Sequence, residues 1–264
     1  MTMQAALRPV PADPAMPALG RTVAIASGKG GVGKTWFATT LAHALARRGR
    51  RVLLFDADLG LANVDVQLGL QPRHDLGAVA SGRVGMAQAV ERFAPGGFDV
   101  LAGSSGSGAL STLNAAGVER LLVGLGGLAA EYSHVLLDLG AGLDWPVRRM
   151  AAWADTMLVV ATEEPTSLTD AYAALKLHAA DRPGGDARLV VNQVTSPAAG
   201  ARTAAALGQA CTAFLGRAPA LAGYVRRDPH VGEAIRRQAP LLTRHPNCPA
   251  SQDVEELAAS LVGE

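Results

Sequence analysis

The chain has almost no lysine. Of its 264 residues only Lys29, Lys34 and Lys176 are lysines, and every other basic residue is arginine or histidine. With 24 Lys and Arg against 23 Asp and Glu, the formal net charge is +1. A polycation that holds nucleic acid by bulk charge is thereby excluded, and so is disorder driven by charge repulsion. Two cysteines, Cys211 and Cys248, are too few for a disulfide framework and fit a reducing compartment. Aromatics make up only 4%. No apolar run reaches the roughly 18–20 residues that span a bilayer, and Met1–Gly20 has no apolar segment of the signal-peptide kind. A cytoplasmic protein is expected.

What is abundant is short apolar runs. After a segment with four prolines (Pro9, Pro11, Pro14, Pro17), read as a flexible tail over residues 1–20, the texture changes at Arg21. Runs at 23–26, 52–55, 135–137, 157–160 and 189–191 are apolar throughout, the mark of strands buried on both faces. Helical patterns at 35–48, 115–131, 145–153, 167–180 and 201–214 separate them. This alternation predicts an α/β fold with a doubly wound, mostly parallel sheet and helices on both faces, forming one domain over residues 21–264. Ligands of such sheets bind at the carboxyl ends of the strands.

At the first of those ends stands Gly28-Lys29-Gly30-Gly31-Val32-Gly33-Lys34-Thr35, which matches G-x-x-x-x-G-K-[ST] between a strand and a helix. Glycines allow successive amides to turn inward around phosphate oxygens, and the following helix points its positive end at the same place. Lys34 is placed to reach the β- and γ-phosphates and the Thr35 hydroxyl to ligate Mg²⁺. The nucleotide contacts are therefore expected from Gly28, Lys29, Gly30, Gly31, Val32, Gly33, Lys34 and Thr35.

The second strand run leads into Asp56-Ala57-Asp58-Leu59-Gly60-Leu61-Ala62-Asn63-Val64-Asp65, and the third ends on Asp138, followed by Leu139-Gly140-Ala141-Gly142. A carboxylate just past a strand end can orient an attacking water. An apolar run closing on Asp opposite a phosphate loop is a Mg²⁺-holding pattern. An acidic turn that caps the next helix is the plainer alternative for Asp58 and, more so, for Asp65.

The lysine after the first glycine of the loop is not required for phosphate binding. With it, the motif resembles the deviant phosphate loop of the ParA/MinD family, in the SIMIBI class of P-loop NTPases. The resemblance implies an ATPase using ATP and Mg²⁺, with Lys29 acting across a symmetric, ATP-dependent homodimer. Lys34 would act with it, and Asp58 would be the residue that orients water. It further implies Asp56 near Mg²⁺ or its water shell alongside Thr35 and Asp138, Asn63 near the dimer seam and nucleotide, Gly142 as a second switch, and Asn192 on the adenine edge. Asn192 is otherwise a common strand-end turn residue.

The stretches DADLGLANVDVQLGL (56–70) and EEPTSLTDAYAALKL (163–177) are most similar to the FlhG/FleN branch, regulators of flagellar number and placement. This implies a slow ATPase switch whose partner is FlhF, a flagellar transcription activator or a basal-body protein. The Met3-Gln4-Ala5-Ala6-Leu7-Arg8 element is similar to an activator of FlhF but one residue short in spacing. Trp36 is bulky for the family, and Arg226 stands where the family's I-P-x-D turn has Pro. Residues 251–264 carry four acids and no Lys or Arg, so they read as a last core helix and not as a membrane-docking one. The rival output is a ParA-type DNA-binding partition protein, using Arg217, Arg226, Arg227, Arg236, Arg237 and Arg244; a solvated face neutralised by Asp228 and Glu233 is the plainer reading of that stripe.

Overall fold

A computed structural model describes residues 21–103 and 113–263. The proline-rich start, with the Met3–Arg8 element, lies outside the described residues, as does most of the Gly103–Gly108 loop. The strands are β1 (Thr22–Ala26), β2 (Val52–Ala57), β3 (Val90–Phe93), β4 (Phe98–Leu101), β5 (His134–Leu139), β6 (Thr156–Ala161), β7 (Asp186–Val194) and β8 (Ala220–Arg226). They form one sheet in the order β3-β4-β2-β5-β1-β6-β7-β8. Every neighbour pair is parallel except β3 with β4.

Ten α-helices accompany the strands among the described residues: α1 (Lys34–Arg47), α2 (Val64–Leu68), α3 (Leu76–Ala80), α4 (Ala115–Ala129), α5 (Trp145–Trp153), α6 (Pro165–Asp181), α7 (Pro197–Leu215), α8 (Pro229–Arg236), α9 (Leu241–Arg244) and α10 (Pro249–Leu261), with one 3-10 turn at Met86–Ala89. The sheet is covered on both faces, which is why its central strands carry no alternation. In β1, Val23 and Ile25 face a core built with Phe37, Leu41 and Leu45 of α1 and Val254, Leu257 and Leu261 of α10. Ala24 and Ala26 face the opposite core, with Leu121, Leu122 and Leu125 of α4, Leu175 of α6 and Leu207 of α7.

β1 sits between β5 and β6, so the chain moves to opposite sides of it after β1 and after β5. The loops leaving these strands open a crevice of the kind that binds ligands in α/β sheets. α1 leaves that crevice and stops where Gly49 adopts φ 74, a left-handed value that suits glycine; the amide of Gly49 bonds the Ala46 carbonyl. α10 is a core helix: Ala250, Val254, Ala258 and Leu261 are fully buried. Its acids turn to arginines, Asp253 to Arg226 and Glu255 to Arg47 and Arg48. No helix among the described residues is long and apolar enough to cross a membrane.

Candidate nucleotide site

The loop from Gly28 to Gly33 leaves β1 and curls over the start of α1. Its shape depends on two glycines. Gly33, at φ 88, precedes α1, and a Cβ there would lie 2.6 Å from Nδ2 of Asn192. Gly28 approaches α6 so closely that a Cβ would meet the Asp170 carbonyl oxygen at 2.4 Å. The Ser27 hydroxyl donates to the Lys29 carbonyl at 2.6 Å and tightens the entry. No side chain caps the first turn of α1, so that turn's amides are left for an anion.

Three carboxylates surround this cradle. Asp138, at the end of β5, lies in register with Ile25 of β1 and with Asp56 of β2. It is 1% exposed, and its Oδ1 has no hydrogen-bond partner. Burial is the main reason that its pKa rises to about 7; Asp56 and Asp58 push the same way, while the Thr35 hydroxyl and Lys34 oppose. Asp56 is wholly buried and is also pushed up, to about 6, by burial, with three backbone amides pulling it back. Lys34, itself buried, has its pKa lowered by desolvation against the pull of Asp138 and Asp58. One buried lysine among three acids leaves negative charge uncompensated. An unpartnered carboxylate oxygen beside the Thr35 hydroxyl fits a hard divalent cation.

Asp58, at the mouth of the crevice, uses Oδ1 to accept from the amides of Gly60 (3.1 Å) and Leu61 (2.9 Å). A Cβ at Gly140 would lie 3.1 Å from the same oxygen, so this carboxylate rests against the segment after β5. The amide of Gly142, at φ 109, donates to the Ser27 carbonyl, which ties that segment to the phosphate loop.

Two residues have immediate tasks that their motifs do not announce. Asp56 holds the loop that follows it: its Oδ2 accepts from the amides of Asn63 and Val64, both at 3.0 Å, and Oδ1 from that of Asp58 at 3.3 Å. Asn192 braces the phosphate loop from β7, its Nδ2 donating to the Val32 carbonyl at 2.8 Å and its Oδ1 accepting from the Gln193 amide. Asn192 also lines a cavity of about 320 Å³ together with Gly31, Trp36, Arg227 and Asp228, and its amide has one N–H and one lone pair not used in these two bonds. Asn63 is exposed and precedes α2 without capping it through its side chain.

Lys29 points to α6. Its Nζ donates to Glu164 Oε2 at 2.7 Å and to Thr166 Oγ1 at 3.1 Å. Both side chains of the pair are solvent-exposed, Lys29 by 34% and Glu164 by 66%. The neighbouring Glu163 accepts from the amide and hydroxyl of Thr195, fixing the start of α6 to the end of β7. The sequence marks residues 163–177 only through their resemblance to the FlhG/FleN branch and gives no sign of this contact with the phosphate loop. Lys29 and Glu164 lie 135 residues apart, so no local pattern announces the pair. Gln193, in the left-handed region at φ 58, carried no sequence signal at all.

Trp36 is 6% exposed and belongs to the core under the loop, which accommodates its bulk. Arg226 explains its own replacement of proline. Its backbone amide donates to Asp253 at 2.7 Å and its guanidinium pairs with the same carboxylate, neither of which proline can do. Arg237 and Arg244 both pair with Glu233, and Arg217 donates to the Gly185 carbonyl.

A glycine cradle, a buried lysine and an unpartnered acid at a sheet's switch point define a P-loop nucleotide-binding protein. Residues 23–241 match the CobQ/CobB/MinD/ParA nucleotide binding domain, and the chain belongs to that family. It is 36% identical to the antiactivator FleN of Pseudomonas aeruginosa over 231 residues, covering 88% of this chain and 82% of FleN. It is 28% identical to the flagellum site-determining protein YlxH of Helicobacter pylori over 243 residues, 92% of this chain and 82% of that one. The cell division ATPase MinD of Pyrococcus furiosus superposes with a TM-score of 0.78 at 24% identity, covering 92% of this chain and 98% of MinD. The fold is that of the SIMIBI-type P-loop NTPases, as the sequence indicates.

Proposed function

We propose that the protein is a slow, Mg²⁺-dependent ATPase switch that dimerises with ATP bound and separates after hydrolysis, and that its output is control of flagellar number or placement. Lys29 carries this reading. It sits in the phosphate loop, yet its ammonium is held outward by Glu164 and Thr166 on an exposed rim, available to a second copy. Leu61, 79% exposed on the loop that Asp56 and Asp58 organise, adds an apolar contact for the same purpose. The flagellar output rests on the likeness to FleN and YlxH.

In this reading Lys34 and the amides at the start of α1 hold the β- and γ-phosphates. Thr35 and Asp138 would hold Mg²⁺, with Asp56 behind them fixing the loop. Mg²⁺, when bound, would neutralise charge on the phosphate oxygens. Asp58 uses its free oxygen, Oδ2, to orient the water and accept its proton. Asn192 has one donor and one lone pair left for the base.

The partition-type rival needs free arginines for DNA phosphates. Arg226, Arg237 and Arg244 of that stripe pair with Asp253 and Glu233 in this chain. Sedimentation with ATP and with ADP tests the switch: wild type should dimerise with ATP alone, and Lys29→Ala should remain monomeric in both. ATP-dependent binding of random duplex at physiological salt, falling steeply as salt rises, would instead support partition.

A further inference from the structure

Asp228, which also lines the cavity beside Asn192, follows β8 and caps α8. Its Oδ1 accepts from the backbone amide of His230 at 2.9 Å and from that residue's ring Nδ1 at 2.7 Å. Its Oδ2 accepts from the amide of Ala250, in the first turn of α10, at 3.2 Å. Cys248 precedes α10; its thiol faces the Asp228 carboxylate and donates to the Ser251 hydroxyl at 3.3 Å. One ligand atom each from Asp228, His230 and Cys248 lies within 4.8 Å of the others, and no other such trio was found among the described residues.

We propose that Asp228, His230 and Cys248 form a binding site for a divalent cation of the zinc type, with water as the fourth ligand. Thiolate, imidazole and carboxylate together are a zinc donor set, and the thiolate disfavours Mg²⁺ and Ca²⁺. Bonds of about 2.0–2.3 Å in a tetrahedron set ligand atoms roughly 3.3–3.8 Å apart. Shifts of about an ångström therefore bring the trio into range. The His230 side chain, 44% exposed, has room to turn and leaves a path for ion and water. The Asp228 side chain is only 1% exposed and Cys248 is 8% exposed, so two of the three ligands are already shielded.

The protons balance. The thiol S–H is lost to solvent as the ion arrives, and the imidazole stays neutral by moving its proton from Nδ1 to Nε2, which frees Nδ1 to ligate. Asp228 keeps its backbone bonds to His230 and Ala250, so the caps of α8 and α10 survive. The His245 ring lies 4.3 Å from that of His230 and stands next to Glu233, a layer that can steady the ligating imidazole. An ion here would clamp the start of α8 to the start of α10, directly after Arg226 and Arg227.

The test uses tag-free, nucleotide-free full-length protein titrated with Co²⁺ as the zinc probe. One equivalent should produce tetrahedral d–d absorption with a thiolate charge-transfer band, and Zn²⁺ should displace it. Cys248→Ser should lose the charge-transfer band, and Cys211→Ser, altering the buried cysteine of α7, should keep it. Because Cys248 is buried, the half-exposed His230→Ala provides a variant that leaves the core intact; its affinity should fall at least about tenfold. Absence of the band in wild type, or unchanged affinity in His230→Ala, overturns the proposal.

Discussion

Asp138→Asn should stabilise the nucleotide-free protein while removing its function. The carboxyl group is almost wholly buried, and its pKa is raised from 3.8 to about 7 chiefly by that burial. A group that holds its proton more tightly when folded makes stability fall as pH rises between the unfolded and folded pKa values. The charged form therefore costs nothing at pH 4 and its full penalty by pH 8. A shift of about three units corresponds to about 4 kcal/mol, an upper bound because Lys34 and Thr35 adjust around the charge. Asparagine keeps the shape and can still accept from Thr35, but it carries no charge. Urea denaturation of the two nucleotide-free proteins should show the variant gaining on wild type by up to about 4 kcal/mol at pH 8 and hardly at all near pH 4. The variant should also fail to turn over ATP with Mg²⁺. An equal gain at both pH values, or no gain at pH 8, would refute the claim that an uncompensated charge is stored at this strand end.

Further perturbations separate the remaining parts of the site. Asp58→Ala should bind ATP and dimerise but lose hydrolysis, as single-turnover release of phosphate would show, because the cradle is untouched. Lys34→Ala should abolish ATP binding in equilibrium dialysis, whereas Lys29→Ala should bind ATP as a monomer normally. Gly28→Ala should cost at least about 1–3 kcal/mol of stability by overpacking, since its Cβ would fall 2.4 Å from the Asp170 carbonyl oxygen; thermal unfolding near the wild-type midpoint would show that α6 yields more readily than its packing implies.

The strands that could be read in the sequence are those with helices on both faces, because their residues are apolar at every position. β3, β4 and β8 escaped. β3 carries Glu91 and Arg92, β4 carries Asp99, and β8 is only intermittently buried, as strands near or at a sheet edge are. The sequence places the phosphate loop and the acids at 56, 58 and 138 at strand ends, and the fold brings them to one crevice. Their division of labour was not legible in the sequence. That Asp56 binds amides seven and eight residues onward, and that Asn192 braces Val32 across 160 residues, are facts of tertiary contact. The Arg226–Asp253 pair was hidden for the same reason, although the missing proline marked its place.

Asp56 ties the proposed chemistry to the loop that carries Asp58. Its buried carboxylate is the anchor for the amides of Asp58, Asn63 and Val64, and so for the loop that carries Asp58 and the exposed Leu61. Protonation of that carboxylate would weaken all three bonds together, since a neutral acid accepts less strongly than an anion. With a pKa pushed up to about 6, Asp56 is closer to that change than an ordinary aspartate, and Asp58 contributes to the push. A cation held by Thr35 and Asp138, directly in register with Asp56, would lower this pKa and tighten the loop. The charge that would neutralise the phosphates would thus also order the segment that carries Asp58 and the exposed Leu61. If the proposed dimer forms on this rim, nucleotide, metal and dimer surface would be coupled through one buried side chain.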